Sequence, residues 1–213
     1  MAALTTLVGP AATLLKPDIN TDTIAPTHRR RSKTGGPLVG SGDGQADLAD
    51  ALFGTWRYDE AGNENADFVL NRAPFRQAKF LLAGPNFACG SSRETAATML
   101  GAFGIRCVVA PSFGLIFFDN CFRNHMLPLV MEWEAVQALG AQAETGAPFA
   151  LDVAAQTLTP PDGKPIVFAL PAFRRDLLLT GGDEVAVTLS RADAIAAYQA
   201  EAKRTRPWTI VPG

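Results

Sequence analysis

Two periods of apolar residues alternate along the middle of the chain. Residues 79–83 form a short apolar run and predict a buried strand. Residues 92–103 carry Ala96, Met99, Leu100 and Phe103 at three- and four-residue spacing, the pattern of a helix with one apolar face. Gly104 follows as a natural helix stop. Residues 105–110 predict a second buried strand, closed by Pro111. Residues 112–123 predict a helix, 127–131 a third strand and 133–143 another helix. A β-α-β-α-β run with short connections implies a parallel sheet flanked by helices.

The flanks are different in character. Residues 27–50 are rich in glycine, basic at their start and acidic at their end. They follow neither period and read as a long loop. Residues 48–58 read as a short helical turn ending in Phe53, Trp56 and Tyr58, and 59–67 as a polar loop. Downstream, 149–157 and 164–170 flank Pro160-Pro161-Asp162-Gly163, which predicts an antiparallel hairpin. A short helix is expected at 173–180, a strand at 184–189 where apolar and polar residues alternate, and a last helix at 191–203. The whole, residues 1–213 with a tail from 201, reads as a single α/β domain with parallel central strands and antiparallel additions.

Composition narrows the function classes. The 213 residues are 47% hydrophobic and 19% charged, enough to bury a sizeable core. A net charge of −2 points to neither nucleic acid nor an anionic membrane as partner. Pro10 and Lys16 interrupt the mildly apolar N-terminal stretch, which lacks a basic start, so a signal peptide is not expected. No apolar run reaches the roughly 18 residues of a membrane helix, and a cytoplasmic location is expected. Cys89, Cys107 and Cys121 form no Cys-x-x-Cys and no Cys/His pair at ligand spacing, so no metal is expected on this chain.

Candidate chemistry concentrates in Asn86-Phe87-Ala88-Cys89-Gly90-Ser91-Ser92-Arg93-Glu94. The segment joins a buried strand to a helix start, and ligands of parallel sheets bind at the carboxyl ends of strands. A helix N-terminus favours negative charge. Arg93 suits two-pronged recognition of a carboxylate, and Gly90 permits close backbone approach. Ser91-x-x-Glu94 also spells a capping box, a purely structural device that is common without catalysis. A second segment, Asp18-Ile19-Asn20-Thr21-Asp22-Thr23-Ile24, reads alone as an Asx-rich turn before the basic stretch His28-Arg29-Arg30-Arg31. Asp119 to Asn124 reads as a helix end with a polar face and no assigned chemistry. No P-loop or Gly-x-Ser-x-Gly elbow occurs.

The ordered set of motifs resembles the small-subunit family of 3-isopropylmalate dehydratases, homologous to the swivelling C-terminal domain of aconitase. Asn20-Thr21-Asp22-Thr23-Ile24 comes first, then Leu52 to Tyr58 and Asp67 to Asn71. Asn86 to Glu94, Ala110 to Phe117 and Asn120 to Asn124 follow. The resemblance implies a β/β/α swivelling-domain fold. It implies a large partner subunit with a 4Fe-4S cluster, and no cofactor bound by this chain, in a heterodimer or heterotetramer. It implies a hydro-lyase that removes water from a 2-hydroxy dicarboxylate and re-adds it at the neighbouring carbon, in leucine biosynthesis. Residue by residue, it implies Ser91 as the proton-abstracting base and Ser92 and Arg93 as carboxylate binders. Asp22 is implied to orient a histidine of the partner.

Departures from the family pattern fall at Thr95 and at residues 25–30. The basic start of the 27–50 loop adds Arg30 and Arg31 as candidate substrate contacts. It also leaves open another hydroxy di- or tricarboxylate, such as 2-methylmalate or a citrate-like acid. A non-catalytic binding module of the same fold and a self-sufficient serine hydrolase are the competing readings. The loop at 27–50 is expected to move in the isolated chain.

Overall fold

In the computed structural model, which describes residues 2–26, 44–182 and 184–209, seven strands form one sheet. They are β1 (Thr6–Leu14), β2 (Phe80–Ala83), β3 (Cys107–Ala110), β4 (Leu127–Val130), β5 (Pro148–Asp152), β6 (Thr157–Thr159) and β7 (Ile166–Val167). Their order is β4-β3-β2-β1-β5-β6-β7. Strands β1 to β4 pair in parallel and β5 to β7 antiparallel, matching the expected mixed α/β class.

β1 is the seam of the sheet, and periodicity alone does not reveal it. Thr6 to Pro10 pair antiparallel with β5, whereas Ala11 to Leu14 pair parallel with β2. Gly9 and Pro10 break the apolar pattern and argue against a central strand. Pro10 is tolerated because it lies where the ladder changes partner, and its carbonyl still accepts from Lys79 N at 2.9 Å.

Both faces of the parallel strands are covered, so β2 and β3 are apolar throughout. Leu81 and Ala83 join a core with Met99 and Leu100 of α4 (Thr95–Phe103) and Phe117 and Cys121 of α5 (Leu115–Arg123). Phe80 and Leu82 join a second core with Val136 and Leu139 of α6 (Trp133–Ala143) and Leu178 of α7 (Ala172–Thr180). Each of the Leu, Met, Phe and Val side chains among them contributes about 1.5–3 kcal/mol through burial.

Several sequence expectations need correction. Residues 44–50, read as part of a long loop, form most of a helix, α2 (Gly44–Ala51), which packs on α4. Leu48 and Ala51 bring it to the core, and tertiary packing overrides a glycine-rich local pattern. The Pro-Pro-Asp-Gly turn does join two strands, β6 and β7, but the first expected hairpin strand splits. Residues 153–156 turn the chain between β5 and β6. The stretch expected as a strand at 184–189 is helical, α8 (Glu184–Leu189). Alternation alone does not make a strand, which needs a neighbour for its backbone groups; a helix satisfies them internally.

The chain divides into two units, Met1–Gly181 and Gly182–Gly213. The second contains α8, α9 (Ala192–Thr205) and a final 3-10 turn, Pro207–Thr209. Arg204 pairs with Glu201 one turn back on α9, at 2.7 Å. No described helix is long and apolar enough to cross a membrane.

Arg57 ends the short helix α3 (Gly54–Arg57) and is only 5% exposed. Burial lowers its pKa. Its Nε donates to Asn71 Oδ1 at 2.9 Å and Nη1 to the Ala49 carbonyl at 2.8 Å, while Asn71 Nδ2 returns a bond to Arg57 O at 2.7 Å. The cation therefore ties the end of α2 to the turn at Val69–Asn71, and these charge-assisted bonds offset its desolvation.

His125 sits at φ +49 after α5, with Nδ1 buried and without a hydrogen-bond partner among the described residues. Burial, aided by the Arg106 guanidinium, lowers its pKa below the usual 6.5. The unfolded chain therefore binds a proton at higher pH than the native one. Stability is complete above about pH 6.5 and falls as pH drops below it. Urea midpoints at pH 7.5 and 5.0 should differ more for the native chain than for His125→Asn, whose asparagine tolerates this backbone conformation. Equal differences would refute the assignment.

Candidate active site

The carboxyl ends of β1 and β2 lie side by side, and each leads into one of the two polar segments. After β1 the chain reaches Asn20 and the single turn α1 (Thr21–Ile24). Asn20 Oδ1 accepts from Thr23 N at 2.8 Å and caps it. After β2 the chain runs through Asn86 to Arg93. The segments are stitched together by backbone bonds: Ala88 N to Ile19 O at 2.6 Å and Thr21 N to Cys89 O at 2.9 Å. Asn86 Nδ2 adds a bond to Asp18 Oδ1 at 2.7 Å.

A third segment clamps the loop from below. Phe87 N donates to Ser112 O at 3.0 Å, Gly114 N to Phe87 O at 2.8 Å, and Asn86 N to Ser112 Oγ at 2.8 Å. These bonds explain why α5 starts at Leu115 rather than at the expected residue 112: Ser112 to Gly114 are spent holding the loop. A Cβ on Gly114 would lie 2.4 Å from the Ala88 carbonyl oxygen. Asp18, Asn86 and Ala88 have φ between 55 and 58, and Gly90 has φ 100. Left-handed backbone of this kind costs about 1 kcal/mol or more per non-glycine residue and persists where surrounding bonds enforce it.

The loop presents Ser91, half-buried, with Ser92 exposed beside it. Thr21 Oγ1 lies 2.6 Å from Ser91 Oγ. Arg93 donates to the same oxygen through its backbone N at 3.4 Å and through Nε at 3.3 Å. Arg93 Nη2 forms an ion pair with Asp22 Oδ1. The Asp22 side chain is 65% exposed, so the pair orients the guanidinium more than it stabilises the fold.

Contrary to the expectation from spacing, Ser91 does not sit at a helix start. α4 begins at Thr95, its cap is Glu94, and no side chain caps it. Ser91 Oγ is engaged by Arg93 and Thr21, so the capping box does not form. The serine gains its polar setting from a guanidinium and a second hydroxyl rather than from a helix end. Glu94 instead accepts from Asn124 Nδ2 at 3.0 Å, tying α4 to α5.

Ser91, Ser92, Arg93 and Asp22 therefore come together at one edge, as the two segments required. Thr21 belongs with them, and the sequence carries only a weak signal for it: its position inside the Asn-Thr-Asp-Thr motif. Arg30 and Arg31, like most of the 27–50 loop expected to move, lie outside the described residues. Among the described residues no group of three His, Cys, Asp or Glu side chains could hold a metal. Burial pushes the Cys107 and Cys121 thiols upward, which keeps them protonated and unlike metal ligands.

A family profile described as the aconitase C-terminal domain matches residues 43–134. Another, for the C-terminal domain of the 3-isopropylmalate dehydratase small subunit, matches 184–210. The chain is similar to proteins named 3-isopropylmalate dehydratase small subunit. That of Jannaschia sp. (strain CCS1) is 45% identical over 98% of this chain and 100% of that protein. That of Rhodospirillum centenum is 42% identical over 99% of this chain and 100% of that protein. The fold is similar to a crystal structure of 3-isopropylmalate dehydratase (leuD) from Methanocaldococcus jannaschii, with a TM-score of 0.59 over 91% of this chain and 99% of that one. At 23% identity this likeness bears on the fold alone. With relatives this similar over nearly its full length, the chain belongs to the family of 3-isopropylmalate dehydratase small subunits.

Proposed function

We propose that this chain is the small subunit of a cytoplasmic two-chain hydro-lyase that interconverts 2-isopropylmalate and 3-isopropylmalate, in leucine biosynthesis. The observation that carries the reading is the half-buried Ser91 hydroxyl set between Arg93 and Thr21 at the carboxyl ends of β1 and β2. Its relatives' names, given above, support the same reading.

The residues divide the work. Ser91 Oγ takes the proton from the carbon next to a carboxylate. The electron pair of the broken C–H bond forms a C=C bond as the hydroxyl on the adjacent carbon leaves, taking up a proton from the partner's histidine to depart as water. Addition of water in the opposite sense gives the isomer. Arg93, held by Asp22, presents Nη1 to a substrate carboxylate, and the exposed Ser92 hydroxyl joins it. Fixing the carboxylate aligns the C–H bond with Ser91. Asp22 keeps its second oxygen for a histidine of the partner. Arg30 and Arg31 are candidates for the substrate's other end.

A 4Fe-4S cluster, when bound in the large subunit, supplies a Lewis acid for the departing hydroxyl. The ligands of that cluster belong to the large subunit, as the family resemblance implies. Ser92 and Asp22 are exposed among the described residues, and in a heterodimer or heterotetramer the large subunit closes over them.

The test is reconstitution of the purified chain with its large subunit, assayed with 2-isopropylmalate, 2-methylmalate and citrate. Isopropylmalate should be preferred by roughly tenfold or more, the discrimination that a few methyl groups provide in an apolar pocket. Turnover by this chain alone, or a preference for another acid, would overturn the assignment.

A further inference from the structure

We infer that Thr21 is a positioning residue that holds and activates Ser91, switching its hydroxyl from acceptor to donor as the serine releases its proton to solvent. The inference rests on Ser91 being the base.

Thr21 Oγ1 and Ser91 Oγ are 2.6 Å apart, a short contact for two neutral hydroxyls. Arg93 already supplies two N–H donors to Ser91 Oγ, one from its backbone and one from Nε. A neutral Ser91 can therefore give its own proton to Thr21. When Ser91 is negative it has no proton to give, and Thr21 must turn its O–H toward it. The serine oxygen then receives three donors, two of them from a guanidinium-bearing residue. Hydrogen bonds to the charged form favour that form and lower its pKa.

The fold leaves Thr21 little else to do with this hydroxyl. The residue is 1% exposed, and Ser91 is the hydroxyl's only partner among the described residues. Its backbone is fixed at both ends: Thr21 N donates to Cys89 O, and Thr21 O accepts from Ala25 N, both at 2.9 Å. A rotatable O–H on a fixed backbone reverses its direction without moving any heavy atom.

Three variants of the assembled two-chain enzyme test this. Thr21→Val keeps the shape and removes the hydroxyl. It should lower kcat at least about thirtyfold with KM changed less than about twofold, as expected for a loss confined to the proton-transfer step. Activity requires the deprotonated serine, so the acid limb of the kcat–pH profile should move upward, by about one pH unit. Thr21→Ser should restore kcat to within about threefold and return the limb to its place. Melting curves and subunit association show whether Thr21→Val is assembled; if it is not, Thr21→Ala replaces it with the same expectations.

The inference fails if the hydroxyl-free variant stays within about threefold of the native kcat. It also fails if Thr21→Ser is as slow as that variant and neither moves the profile, which a merely structural residue would give. Ser91→Ala, run in parallel, separates the two levels. Native turnover in Ser91→Ala would remove the functional reading itself. A dead Ser91→Ala beside an unaffected Thr21→Val would remove only the role of Thr21.

Discussion

Replacing Ser91 with alanine is expected to lower kcat of the assembled enzyme by about a thousandfold, in the middle of the range for losing a general base. KM should change little. The substrate carboxylate is met by Arg93, whose Nη2 bond to Asp22 does not depend on Ser91. The fold should also survive, because Ser91 is half-buried and neither α4 nor the loop clamp uses its hydroxyl. The measurement is steady-state kinetics in both directions, with exchange of the abstracted proton into solvent followed in parallel. Exchange should fall together with turnover. A variant that still exchanges at the native rate would show that another group takes the proton. A kcat within tenfold of native would have the same meaning, since that is below what a positioned base contributes, about a hundredfold or more.

The second large effect comes from a residue that touches no substrate. In Gly114→Ala the new methyl would lie 2.4 Å from the Ala88 carbonyl oxygen and 3.1 Å from Cys89 Cα. Both neighbours are backbone, so no flexible side chain can swing away. Either α5 retreats or the Asn86–Arg93 loop moves outward. The loop is the weaker party, because Asn86, Ala88 and Gly90 already hold left-handed backbone. α5, by contrast, is anchored by Phe117 and Cys121 in the core. A shift near 1 Å at Ser91 should lower kcat by about a hundredfold. The loss of stability should be about 1–3 kcal/mol, as for other overpacked sites. Kinetics and urea unfolding of the same preparation check both numbers. Full activity with an unchanged unfolding midpoint would show that the clamp is slack.

Much of the middle of the fold was legible because local and global signals agree there. The helix Trp133–Ala143 coincides with its expected span, since its apolar spacing and its burial describe the same face. The strands at 80–83, 107–110 and 127–130 were visible as short apolar runs, as strands buried on both faces must be. The misses have physical causes. β1 contains Gly9 and Pro10, which argue against a strand until its change of partner is known. Residues 184–189 alternate like a strand yet lie in a unit where they fold as a helix.

The site was legible in its parts but not in its wiring. The Ser91–Glu94 spacing suggested a cap, and only tertiary structure reveals that Arg93 and Thr21 claim the serine instead. Thr21 and Ser91 are 70 positions apart, so no local pattern could join them. The motif order suggested that the two segments matter; the shared edge of β1 and β2 supplies the reason.

The dual pairing of the first strand also governs how the protein can be made. Thr6 finds its ladder partner only once Asp152 has left the ribosome, and Leu14 only once Ala83 has. The nascent amino terminus must therefore wait, unpaired, through most of translation. Such distant closures slow folding and leave strand edges open in the meantime. Shortened chains ending before residue 148 would keep the Ala11–Leu14 ladder with β2 but leave Thr6–Pro10 without their β5 partner, so an isolated amino-terminal fragment should expose that half of β1 as an open strand edge.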